Sequence, residues 1–150
     1  MKRHLTSVSD LGRDDVERIL DGARGFAGVL AREVKKVPAL RGRTVVNLFF
    51  ESSTRTSSSF ELAAKRLSAD TMSLKASGSS VDKGESLKDT VKTLDAYAPD
   101  IVVIRHPHAG GALMTTRYTR AHVVNAGDGK HQHPTQALLD LYTIREALGR

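Results

Sequence analysis

At 150 residues with a net charge of +6, no cysteine and only 5% aromatic residues, the chain is long enough for one well-packed domain and barred from disulfide and thiolate chemistry. No apolar run is long enough to cross a bilayer, and Met1-Lys2-Arg3-His4 leads into no signal-peptide core, so a cytoplasmic protein without a membrane partner is expected. Basic residues are scattered and stacking platforms are few, which favours a pocket for an anionic metabolite over nucleic acid.

In chain order, Ser9 is a candidate cap for a first helix through Asp14, Val16, Ile19, Leu20 and Ala23. Pro38 and Gly42 punctuate the approach to an apolar, β-branched strand from Thr44 to Phe50. From Ser57 onward, Phe60, Ala63, Ala64 and Leu67 recur at helical spacing. Thr71 to Leu74 reads as a short strand, and Ala76 to Ser80 as a Ser/Gly-rich loop. Leu87, Val91, Leu94 and Tyr97 predict a helix stopped by Pro99, followed by a buried strand at Ile101 to Ile104. Gly110 to Arg120 is weakly patterned and admits a helix, His122 to Asn125 is a further strand, and a last helix runs from Pro134 through Leu148. Strands alternating with helices, without hairpin signals, predict an α/β fold: an open parallel sheet flanked by helices on both faces.

Such sheets bind ligands beyond the carboxyl ends of their strands. Polar residues gather at three of those ends: Ser53-Thr54-Arg55-Thr56, then Arg105 and His106, then Asn125 to His133. The first cluster opens a helix, where unpaired backbone N–H groups and the positive end of the dipole favour an anion, and a guanidinium can grip phosphate through two hydrogen bonds. A serine-rich cap beside a solvated arginine is the bland alternative. Arg105, just past an apolar strand, is aimed at the cleft unless it is merely solvated. His133 precedes Pro134 at a helix start, where the dipole disfavours imidazolium; a neutral donor is expected, with a simple cap as the alternative. Gln136, in the same first turn, offers an amide that donates and accepts, or a plain helix surface.

The pairs His106/His108 and His131/His133 invite a metal reading, but no third ligand of suitable spacing accompanies them, Asp128 being the lone acidic candidate. No metal and no cofactor is expected. Lys83, in the loop Ser79 to Ser86, is a compact cation able to approach an anion, or an ordinary loop lysine; the loop is not a Walker motif.

Phe49-Phe50-Glu51-Ser52-Ser53-Thr54-Arg55-Thr56, followed by Ser58, Phe60 and Glu61, resembles the carbamoyl-phosphate motif of the transcarbamoylases. Asn125-Ala126-Gly127-Asp128-Gly129-Lys130-His131-Gln132-His133-Pro134-Thr135-Gln136 resembles their aspartate branch, as do the Ser79 to Glu85 loop and Val103 to Pro107; the ornithine branch usually carries Cys-Gln after the His-Pro. The resemblance runs from the first helix to Arg150. It implies a carbamoyl-phosphate-binding domain over 1–150, with the aspartate-binding domain of the family absent from this chain. It further implies transfer of the carbamoyl group to the α-amine of L-aspartate, giving N-carbamoyl-L-aspartate and phosphate in de novo pyrimidine biosynthesis.

By the same resemblance, Ser53, Thr54, Arg55, Thr56 and Arg105 hold the phosphate. Thr56, Arg105 and His133 contact the carbonyl oxygen, and Gln136 the carbamoyl amide. Lys83, with Ser79, reaches into a neighbouring site of a homotrimer, and a regulatory chain or a dihydroorotase are further partners. Ser57, where many members have arginine, and Lys130, where threonine is common, depart from the pattern. A non-catalytic module that binds phosphate metabolites, or an ornithine-type enzyme, are the competing readings.

Overall fold

The computed structural model describes residues 3–75 and 84–149. Their elements are α1 (Arg13–Leu30), β1 (Thr44–Phe49), α2 (Thr54–Arg66), β2 (Asp70–Lys75), α3 (Leu87–Asp95), β3 (Ile101–His106), α4 (Gly111–Thr115), β4 (His122–Asp128) and α5 (Pro134–Leu148). All three strand pairings are parallel, in the order β2-β1-β3-β4. The expected α/β sheet is therefore present. One apolar cluster joins Val46, Leu48, Val102 and Ile104 to Val91, Leu94 and Ala112 of α3 and α4. The other joins Val45, Phe49 and Val103 to Ala64 and Phe60 of α2. Alternate strand residues thus feed opposite faces, and each face is covered by helix. Both strands at the sheet centre send apolar residues to both faces, as a doubly covered strand requires, with Asn47 of β1 a buried polar exception.

Several boundaries differ from the sequence expectation. Ser9 does not cap α1. Ser7 instead caps a single 3-10 turn, Val8–Asp10, with the Asp10 side chain bonding back to the Ser7 amide, and the Ser9 hydroxyl lies 2.7 Å from that of Ser7. Gly12 is the N-cap of α1, whose first turn carries Asp14 and Asp15. Helix α2 begins at Thr54, since the Ser57 amide already bonds the Ser53 carbonyl at 3.0 Å; the hydroxyl cluster is the first turn itself and not a lead into it. Strands β3 and β4 run on to His106 and Asp128, because ladder pairing needs backbone groups and not apolar side chains. Helix α3 ends at Asp95, leaving Tyr97 exposed, and α4 spans only five residues. The anticipated loop from Ala76 to Ser80 lies outside the described residues, as do Ser79 and Lys83. No helix among the described residues is long and apolar enough to cross a membrane.

Strand order decides where a ligand can sit. From β1 the chain moves to β2 on one side, then returns through α3 to β3 on the other. The reversal opens a crevice between the carboxyl ends of β1 and β3.

Candidate active site

Ser53 to Thr56 emerge from β1 at that crevice, and Arg105 is paired beside Phe49 on β3. Ser53 is the N-cap of α2, yet its side chain makes no capping hydrogen bond. The amides of Thr54, Arg55 and Thr56 precede the first i→i−4 bond and have no partner within the helix. Ser57, one of the two departures, turns its hydroxyl back to the Ser53 carbonyl at 2.8 Å, so that hydroxyl serves the first turn of its own helix. The helix start is therefore unsatisfied, polar and open, with Arg55 exposed.

Arg105 is held from two sides. Its Nη1 donates to the Ala126 carbonyl at 3.0 Å, and its Nε lies 3.4 Å from a Glu51 carboxylate oxygen, an ion pair without hydrogen-bond geometry. The position of Ala126 comes from a bulge: Ile104 pairs with Asn125, but His106 pairs with Asp128, so β4 carries one extra residue. Gly127, inside the bulge at φ +116°, is buried and packs against both site side chains. A Cβ there would lie 2.5 Å from Arg105 Nη1 and 3.5 Å from His133 Cδ2. Arg105 and His133 thus converge on the bare face of one glycine.

His133 is the N-cap residue of α5, but its side chain makes no capping bond; Nδ1 sits 3.3 Å from the Thr135 hydroxyl. Burial lowers its pKa below the ordinary 6.5, and the neighbouring Arg105 charge adds to that, against a smaller opposing pull from Asp140. The neutral form expected from sequence is supported, with burial as the main cause. Because the unfolded chain takes up this proton near 6.5 and the folded one at lower pH, stability is fully present above that value. It declines as pH falls below it. His106 and His4 shift in the same direction, also through burial. We expect denaturant midpoints to fall between pH 7 and 5, and nitrogen-detected NMR to show a neutral His133 ring at pH 7; an imidazolium there would refute the assignment.

Gln136 is not gathered into the same cluster: its amide donates to Asp140 at 2.9 Å on the exposed side of α5. Neither His-x-His pair is gathered with a third ligand-type side chain among the described residues. The His106 and His108 rings sit 5.4 Å apart, His131 is engaged with Asp128, and no cluster of three or more ligand-type side chains occurs among the described residues.

Two groups escaped the sequence reading. Glu51, the carboxylate facing Arg105, was visible only as a motif letter. Asp128, considered as a metal ligand, is a buried acceptor for four donors. The Gly-Asp-Gly run hinted at a shaped loop but not at those partners.

The family model of the aspartate/ornithine carbamoyltransferase carbamoyl-phosphate-binding domain matches residues 3–146. The chain belongs to this family. The aspartate carbamoyltransferase catalytic subunit of Clavibacter sepedonicus is 62% identical over 148 residues, 97% of this chain and 46% of that protein. That of Salinispora arenicola is 61% identical over 150 residues, 100% of this chain and 49% of its own length. The Trypanosoma cruzi aspartate transcarbamoylase, solved in complex with carbamoyl phosphate and aspartate, superposes with a TM-score of 0.90 at 37% identity over 98% of this chain and 48% of that one. The M. jannaschii catalytic subunit gives 0.90 at 43% identity over 99% and 48%. The chain spans about half the length of these family members.

Proposed function

We propose that this chain is the carbamoyl-phosphate half of an aspartate carbamoyltransferase of pyrimidine biosynthesis. The carrying observation is the convergence of Arg105 and His133 over Gly127, beside the open start of α2 at the strand-order reversal. The names of its relatives favour aspartate over ornithine as the acceptor. In this reading Ser53, Thr54, Arg55 and Thr56 hold the phosphate through hydroxyls, free amides and one guanidinium, with Arg105 closing from β3. Gln136 reaches the carbamoyl amide after leaving Asp140.

The reaction needs no covalent nucleophile, because phosphate is already a competent leaving group. The α-amine of L-aspartate attacks the carbamoyl carbon, and negative charge grows on the carbamoyl oxygen. Arg105, the Thr56 hydroxyl and neutral His133 are donors placed for that charge. The C–O bond to phosphate then breaks, and the departing phosphate takes the amine proton. Aspartate itself is held by a second domain outside this chain. A homotrimer supplies Lys83 and Ser79 across a subunit boundary, and a regulatory chain or a dihydroorotase would be further partners in the cell.

Calorimetric titration with carbamoyl phosphate tests the reading on this chain, with binding expected and turnover to carbamoyl-aspartate negligible until an aspartate-binding domain is supplied. A chain that ignores carbamoyl phosphate but binds other phosphate metabolites equally well would support the module instead. Arg55→Ala should cost about 1.5–3 kcal/mol of that binding, the worth of a charge-assisted contact. Arg117→Ala, exposed beside α4, should cost little; equal losses would mean diffuse basic attraction. Arg120 is a poor control, because it is tied to Asp95 at 3.2 Å. In the full-length enzyme, mixing inactive Lys83→Ala and Arg55→Ala chains should restore activity through hybrid trimers. No recovery despite verified subunit exchange would confine Lys83 to its own chain.

A further inference from the structure

We propose that Asp128 is a positioning residue, clamping the approach to His133 against the Arg105 end of the sheet. This rests on reading the site as one for carbamoyl phosphate. The side chain is only 2% exposed and sits at the end of β4, paired with His106, next to Arg105 in β3. Its Oδ1 accepts from Asn125 Nδ2 at 3.0 Å and from the Gln132 amide at 2.9 Å. Its Oδ2 accepts from the Gly110 amide at 2.7 Å and lies 3.1 Å from His131 Nδ1.

These four donors come from three pieces of chain: β4 itself, the loop after β3, and the two residues that lead into His133. A buried carboxylate is tolerable only when so surrounded. Burial opposes its ionisation, yet the bonds from Asn125, Gly110, His131 and Gln132 outweigh burial and leave the pKa below the ordinary 3.8. The backbone closes the same loop, with the Asp128 amide bonded to the Gln132 carbonyl at 3.1 Å. The hydrogen bonds of the Asp128 carboxylate go to neither Arg105 nor His133. It acts by setting the distance between the elements that carry them.

The test compares Asp128→Asn with Asp100→Asn. Asn at 128 keeps the shape but sets an NH2 group among donors. Asp100 is a similar clamp at the opposite end of the sheet, accepting from the Thr44 amide at 2.8 Å and from Arg43 at 2.7 Å. Two quantities are read: affinity for carbamoyl phosphate, and the NMR titration midpoint of His133. That ring faces Arg105 from β3, and Asp140 and the Thr135 hydroxyl from its own helix. Asp128→Asn should weaken binding about tenfold or more, as for a lost charge-assisted contact. It should also raise the His133 midpoint, since the ring moves toward water and away from Arg105. Asp100→Asn should lower stability and change neither.

Equal losses of affinity in the two variants, or an unmoved His133 midpoint in Asp128→Asn, would overturn the proposal. Should Asp128→Asn fail to fold, His131→Ala removes one of the four partners from the exposed side; its His133 midpoint should rise, and an unchanged one is refutation. If the unmutated chain does not bind carbamoyl phosphate, the functional reading fails, while the titration still judges Asp128.

Discussion

Replacing Gly127 by alanine is expected to abolish carbamoyl-phosphate binding while leaving the fold standing. Two effects combine at this position. The backbone sits at φ +116°, outside the range that L side chains readily adopt, and forcing it costs about 1–3 kcal/mol. The new methyl would also lie 2.5 Å from Arg105 Nη1 and 3.2 Å from its Cζ. That neighbour is the far end of a flexible side chain, so it can yield where a packed core could not. The yielding is the damage, because the guanidinium swings out of the proposed anion site and leaves the Ala126 carbonyl. Stability should fall by a part of the ~5–15 kcal/mol typical of a domain, whereas ligand heat should vanish. Thermal unfolding and calorimetry on the same sample separate the two effects. Wild-type affinity in Gly127→Ala would show that Arg105 is not needed where the structure puts it.

Arg105→Ala should be at least as damaging, and by more than the loss of one contact. A charge-assisted hydrogen bond is worth about 1.5–3 kcal/mol, or some tenfold to more than a hundredfold in affinity. Removing the guanidinium also strips Glu51 of its partner, 3.4 Å away, and leaves a carboxylate facing the incoming phosphate. The double variant Arg105→Ala/Glu51→Gln should therefore bind better than Arg105→Ala alone. Arg105→Lys should recover only part of the loss, since an ammonium lacks the planar fork that matches phosphate. If the double variant is no better than the single one, Glu51 carries no weight in the empty site and the repulsion argument fails.

Much of this was legible in the chain. The runs at Val45 to Phe49 and Ile101 to Ile104 read as buried strands, and the helical spacing after the first marks the hydroxyl-rich turn as a helix start. The candidate residues at both strand ends could be singled out because the proposed phosphate recognition calls for a narrow set of groups: free amides, hydroxyls and guanidinium. The misjudged boundaries share a cause. Ser9 is a cap by type, but it is taken up in the 3-10 turn that Ser7 caps, and α1 starts only after it, at Gly12. The ends of β3 and β4 were placed too early because pairing outlasts the apolar pattern that reveals it.

Residue types and their local order determined by themselves the fold class, the doubly covered sheet and which groups the candidate site has to offer. Those follow from periodicity and from what each side chain can donate or accept, which are properties of short stretches. The tertiary structure alone decided the strand order β2-β1-β3-β4, which makes β1 and β3 neighbours and brings Thr54 and Arg105 to one crevice across fifty residues of chain. It alone revealed the bulge at Ala126 and Gly127, the Glu51–Arg105 pair and the buried carboxylate of Asp128 with its four donors. The physical reason is common to all of these. Each depends on which groups face one another after the chain has closed, and long-range pairing is set by the packing of whole faces rather than by any local pattern.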